Sequence, residues 1–117
     1  TDLIGHAHGW MSDAYKAAVQ EMDGLLGRLI ERLEQNTTDP AIFVTSDHGG
    51  KDTHHTQADP DTLTIPFIAC GPGIKKGAEV FEPVSIIDIA PTIAKKMGIL
   101  AHPDWEGRSL DSIFSRM

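Results

Sequence analysis

A single cysteine among 117 residues excludes an internal disulfide. That thiol, Cys70, lies in the apolar run TIPFIAC, where a buried side chain is expected. Its isolation fits a reducing compartment, with the cytoplasm as the expected location. Basic residues are also scarce: ten Lys and Arg stand against seventeen Asp and Glu, for a net charge of -7. No basic cluster stands out, so a nucleic-acid backbone would find no electrostatic footprint, and no nucleic acid is expected as a partner. No apolar run approaches the roughly 20 residues of a membrane span. A basic-then-apolar leader is missing as well, so no membrane association is expected. The first residue is Thr1 rather than Met, which reads as a processing or segment boundary.

What is present describes one domain or part of one, with 40% hydrophobic residues to build a modest core. TDLIGHAHGW reads as a strand stub followed by a glycine-rich loop. Ala14, Ala18, Met22, Leu25, Leu26, Leu29 and Leu33 then recur at helical spacing, predicting a helix over 13–35 with Ser12 as N-cap. Gly24 and Gly27 inside it read as points of close packing, and NTTDP ends it. Apolar strands are expected over 41–46 and 64–70, separated by a polar segment, each apolar on both faces as an inner strand would be. GPGIKKG is a turn, and SIIDIAPTIAKKMGI reads as a second helix with Pro91 in its first turn. The tail ends in a short amphipathic piece. Helices alternating with apolar strands give an α/β fold class.

Chemistry-bearing residues collect at two places. Asp47 and His48 stand where the first strand runs into Gly49 and Gly50, with His54 and His55 on the segment beyond, while Asp2, His6 and His8 share the first loop. Five of the six histidines therefore lie on two segments, and only His102 is elsewhere. Functional groups in open α/β sheets gather at the carboxyl ends of strands. Imidazole and carboxylate without thiolate are ligands suited to zinc and similar divalent ions. Gly49 and Gly50 are expected to release the strand geometry so that the neighbouring Asp47 and His48 converge. His8 reads as a supporting or merely polar residue.

TDLIGHAHG, EMDGLLGRLIERL, FVTSDHGG, TIPFIACGPGIKKG, SIIDIAPTIAKKMGI and WEGRSL, in this order, resemble the C-terminal part of the alkaline phosphatase superfamily, nearest to its type I phosphodiesterase and nucleotide pyrophosphatase branch. The resemblance implies that residues 1–117 are the C-terminal part of a single metallohydrolase domain, part of a sheet flanked by helices, with the N-terminal half outside this segment. It implies a two-zinc site for phosphoric ester hydrolysis, with a small phosphoester as substrate. Asp2, His6 and His55 would hold one zinc; His55 is preferred to His54 because ten residues separate it from Ile65. Asp47 and His48 would hold the second, whose remaining ligands and nucleophile have no counterpart here. A phosphomutase with manganese, a sulfatase, and a non-catalytic metal-binding or interaction domain are the alternatives. Sheet edges left exposed would invite oligomerisation.

Overall fold

In the computed structural model, which describes residues 1–115, the chain forms α1 (Asp2–His8), α2 (Asp13–Asn36), β1 (Ile42–Thr45), α3 (Pro60–Leu63), β2 (Phe67–Cys70) and α4 (Ile89–Lys96). Two 3-10 turns, Ile86–Asp88 and Asp111–Ile113, complete the elements. The chain divides into two compact units, Thr1–Ile68 and the part from Ala69 onward.

Within TDLIGHAHGW, Asp2–His8 is helical rather than a strand stub with a loop. The apolar pair Leu3–Ile4 suggested extended chain, but Thr1 and Gly9 bracket one short helix. Gly9 ends it at φ 94°, with its N–H donating to the Gly5 carbonyl at 2.8 Å. Glycine reaches that left-handed conformation without a Cβ clash. α2 follows the expected span, and Ser12 caps it by accepting from the Tyr15 N–H at 3.1 Å. Val19, Met22, Leu25 and Leu29 remain exposed along it. Gly24 and Gly27 do not mark close packing, since a Cβ on either would meet no atom within 4 Å.

β1 and β2 hydrogen-bond to each other as a two-stranded sheet, with the Phe43 and Phe67 rings 6.3 Å apart. The strands are not covered on both faces as expected. Along β2, Phe67 and Ala69 are half-buried while Ile68 and Cys70 are exposed, the period-2 alternation of a strand covered on one side. Cys70 is thus an exposed free thiol, contrary to the buried one expected. β2 is also shorter than expected: Pro66 brings no backbone N–H to a ladder, and regular pairing starts after it. The polar segment between the strands contains α3, a single turn capped by the Asp59 carboxylate accepting from the Thr62 N–H at 3.1 Å.

In the second unit the expected helix splits into the 3-10 turn and α4, with Pro91 buried in the first turn of α4 as expected. Asp88 organises this unit. Its carboxylate accepts from the Ser85 N–H at 2.9 Å and the Arg108 N–H at 2.8 Å. The Asp88 carbonyl accepts from the Thr92 hydroxyl at 2.6 Å, and that hydroxyl accepts from the Leu110 N–H at 3.0 Å. Thr92 and Leu110 are almost completely buried, so the chain of bonds satisfies polar groups that water cannot reach. Gly107 belongs to the same arrangement, because a Cβ there would lie 1.9 Å from the Ile87 carbonyl oxygen. DIAPT and WEGRSL therefore meet for a structural reason. Among the described residues, no helix is long and apolar enough to cross a membrane.

Candidate metal centre

Because α1 is a helix, Asp2 and His6 are four residues apart on one face, and their side chains are neighbours. His6 Nε2 lies 3.5 Å from Asp2 Oδ1. His48, just beyond β1, brings its Nε2 to 3.7 Å from the same oxygen. His55 Nε2 also stands at 3.7 Å from it. One carboxylate oxygen is thus ringed by three imidazole nitrogens. These separations exceed the N···O range of a hydrogen bond, roughly 2.7–3.2 Å. Two ligand atoms held about 2.0–2.1 Å from one cation at tetrahedral angles would be about 3.4 Å apart, close to the spacing found here.

Local structure orients each ring. His6 Nδ1 is 2.8 Å from the Thr53 carbonyl, and His48 Nδ1 is 2.7 Å from the Gly49 carbonyl. A carbonyl only accepts, so in the neutral form of both rings Nδ1 carries the proton and Nε2 the lone pair, the arrangement of a metal-ligating imidazole. His55 follows a tight turn closed by mutual backbone hydrogen bonds of Lys51 and His54, at 2.9 and 3.0 Å, with Asp52 at φ 51°. The His48 and His55 rings stack at 3.8 Å. His54 is not among the residues grouped around Asp2, and its Nδ1 is buried without a partner among the described residues.

Asp2, His48 and His55 each offer a ligand atom, all within 4.8 Å of one another, and His6 adjoins the same carboxylate. Asp47 stands further out: its side chain is exposed, accepts from the His48 N–H at 3.1 Å and has Oδ1 3.8 Å from His48 Nε2. The geometry does not divide these residues into the two groups expected from the sequence, because His48 is as near Asp2 as His55 is. The exposed His8 lies outside the cluster.

The glycines after Asp47 and His48 have a different role from the one expected. Neither Gly49 nor Gly50 adopts positive φ. A Cβ on Gly49 would come within 2.0 Å of the Asp61 carbonyl, and the N–H groups of Gly49 and Gly50 donate to Thr62 and Asp61 at 2.8 and 3.0 Å. Glycine is needed for close backbone approach to α3, not for a bend. A cleft of about 820 Å³ opens beside Asp2 and His48, with Tyr15, Met22 and Val44 on its apolar side. Trp10, which no sequence motif singled out, has its indole 5.1 Å from the His6 ring and 6.0 Å from the His55 ring. Its position directly after GHAHG was the available signal.

The sulfatase family model matches residues 10–99, most of the chain. The chain belongs to the sulfatase family. It lies within the alkaline phosphatase superfamily, as the motifs had implied. Among similar proteins, arylsulfatase K of Danio rerio is 33% identical over 88% of this chain and 21% of its own length. The 2,3-bisphosphoglycerate-independent phosphoglycerate mutases of Natronomonas pharaonis and Halobacterium salinarum are 33% and 36% identical, each over 93% of this chain and 22% of their own length. This sulfatase-family chain spans about a fifth of the length of these curated relatives. The relatives are enzymes named as a sulfatase and as mutases, and they lend no support to the phosphodiesterase branch in particular. No solved structure matches the chain.

Proposed function

We propose that this sulfatase-family chain supplies the cation-binding part of a metal-dependent enzyme acting on a sulfate or phosphate ester, with zinc as the cation. The observation that carries the proposal is the ring of three imidazole Nε2 atoms, those of His6, His48 and His55, at 3.5–3.7 Å around Asp2 Oδ1. The residues fit the group: two of the rings have Nδ1 tied to carbonyls, and a carboxylate with imidazoles is a donor set for zinc, with manganese as the alternative. Asp2, His6 and His55 would hold one ion, and His48 with Asp47 would face a second. A bound divalent cation polarises an ester oxygen and lowers the pKa of a nucleophilic hydroxyl.

The chain's own residues then orient and bind. The Thr53 and Gly49 carbonyls hold the His6 and His48 rings in the ligating tautomer, and the cleft beside Asp2 receives the organic part of the ester. The nucleophile would come from outside residues 1–117. A phosphodiester is the finer substrate that the motifs suggested, but the names of the relatives favour a sulfate ester or a phosphoryl group.

The test is turnover of p-nitrophenyl sulfate, p-nitrophenyl phosphate and bis-p-nitrophenyl phosphate by the full-length protein, with and without a chelator. Chelation is expected to abolish hydrolysis of one of the first two substrates. His48→Ala and His55→Ala should each exceed the roughly 10–100-fold loss typical of outer-sphere partners. Turnover indifferent to both chelation and His55→Ala would overturn the reading.

A further inference from the structure

Trp10 neighbours all three histidines that surround Asp2, and the surrounding sequence is shaped to admit it. A Cβ on Gly5 would lie 2.7 Å from the indole, and a Cβ on Gly50 only 2.1 Å from it. The half-buried indole therefore lies against the backbone of both segments that carry the histidines, at positions where only glycine leaves room. Its own backbone joins those segments, because the Trp10 N–H donates to the Asp52 carbonyl at 2.7 Å. The His6 ring stands edge-to-face on it at 87°, the His55 ring at 74°, and the His48 ring is tilted at 57° with centroids 6.5 Å apart.

We infer that Trp10 is a positioning residue for the metal centre: its indole is the wall that holds the His6, His48 and His55 rings in the orientation that turns their Nε2 atoms toward Asp2. The physical argument is one of rotamer restriction. His6 and His48 each have one carbonyl fixing Nδ1, but a single hydrogen bond leaves a ring free to swing about it. An aromatic face at 5–6 Å in edge-to-face contact removes that freedom and adds a favourable quadrupole interaction. Among the described residues no carbonyl is hydrogen-bonded to a His55 nitrogen, so stacking on His48 and the indole are what orient that ring. Preformed ligands lose less entropy when a cation binds, so Trp10 acts on metal affinity without touching the metal.

The inference rests on the metal-binding reading, and two sets of variants separate them. Zinc affinity and the visible spectrum of the cobalt-substituted protein are measured for the full-length protein, for His48→Ala and His55→Ala, and for Trp10→Ala, Trp10→Phe and Trp10→Leu. The histidine variants test the site itself: if both bind zinc as tightly as the parent, the site reading fails whatever Trp10 does. With that reading intact, Trp10→Ala is expected to weaken zinc by roughly 10–100-fold, the range of outer-sphere partners. It should also alter the cobalt ligand-field bands, while Trp10→Phe restores most of both. The Trp10 share of the emission, taken as the difference between the full-length protein and Trp10→Phe, should be quenched by cobalt. Unchanged zinc affinity with an unchanged cobalt spectrum in Trp10→Ala would overturn the inference. So would emission that cobalt leaves untouched. Should Trp10→Ala fail to fold, Trp10→Leu decides, since it fills the space without a π face; parent-like affinity and spectrum there would equally overturn it.

Discussion

Asp88 is 5% exposed, with both carboxylate oxygens engaged by backbone N–H groups of Ser85 and Arg108, whereas the Asp2 side chain is 50% exposed and surrounded by imidazole nitrogens beyond hydrogen-bonding range. The two aspartates each gather three partners, yet to different ends. Around Asp88 every polar partner is supplied by the chain, so the carboxylate closes a fold. Around Asp2 the chain supplies acceptors and lone pairs facing one another, a set that an incoming cation would satisfy. A buried, fully bonded carboxylate signals structure, and an open one ringed by nitrogen lone pairs signals a ligand.

Removing each carboxylate should have opposite consequences. Asp88→Ala orphans two backbone donors, each costing about 1–3 kcal/mol, so stability should fall by roughly 2–6 kcal/mol in urea unfolding. Asp2→Ala should change stability by no more than about 0.5 kcal/mol while removing divalent-ion binding. Equal destabilisation by the two would erase the distinction.

A smaller effect is expected from paired glycine substitutions. Gly107→Ala drives a methyl group toward the Ile87 carbonyl at 1.9 Å, and should cost about 1–3 kcal/mol as an overpacked site does. Gly24→Ala in α2 meets nothing within 4 Å and should raise stability by roughly 0.5–1 kcal/mol. Thermal melts of both variants measure the contrast.

Acid sharpens it further. The Arg108 N–H, followed by the Ser85 N–H, holds the Asp88 carboxyl below the usual carboxylate range. Asp111 is lowered in the same direction by Lys95 and then Ser109, though it is exposed and its contribution is screened. A depressed folded-state pKa contributes stability that is fully present above the unfolded value of about 3.9 and is lost as pH falls through the folded value. The contribution of Asp88 to stability should therefore be level from neutral pH to about pH 5 and decline below about pH 4, with Asp88→Asn flattening that acid limb. A limb unchanged by the substitution would show that Asp88 is not its source. The smallest effect belongs to the histidines outside the cluster: His8→Ala and His102→Ala should leave stability within about 0.5 kcal/mol and metal binding unchanged.

Local chemistry made part of this legible from residues alone. Ser12 and the apolar periodicity after it defined α2, because a cap and a repeat are properties of neighbouring residues. Pro91 could stand only in a first turn, since the ring removes a donor that only the first turn leaves unused. The clustering of Asp2, His6, Asp47, His48 and His55 on two segments was visible as composition. What was not visible was how those segments meet. The helical form of Asp2–His8 sets Asp2 beside His6, and that depends on the loop of Asp52 and Thr53 receiving Trp10 and His6.

The α/β character, the span of α2 and the residue types of the candidate centre were set by the sequence alone, because each depends on interactions or composition within a few residues along the chain. Only tertiary structure decided that His48 joins Asp2 as closely as His55 does, that Gly50 is glycine because an indole lies on it, that Cys70 is exposed, and that DIAPT and WEGRSL are joined through Asp88. Those are contacts between residues far apart in sequence, such as Asp88 with Arg108 and His6 with Thr53, and no local propensity encodes the distance across which they meet.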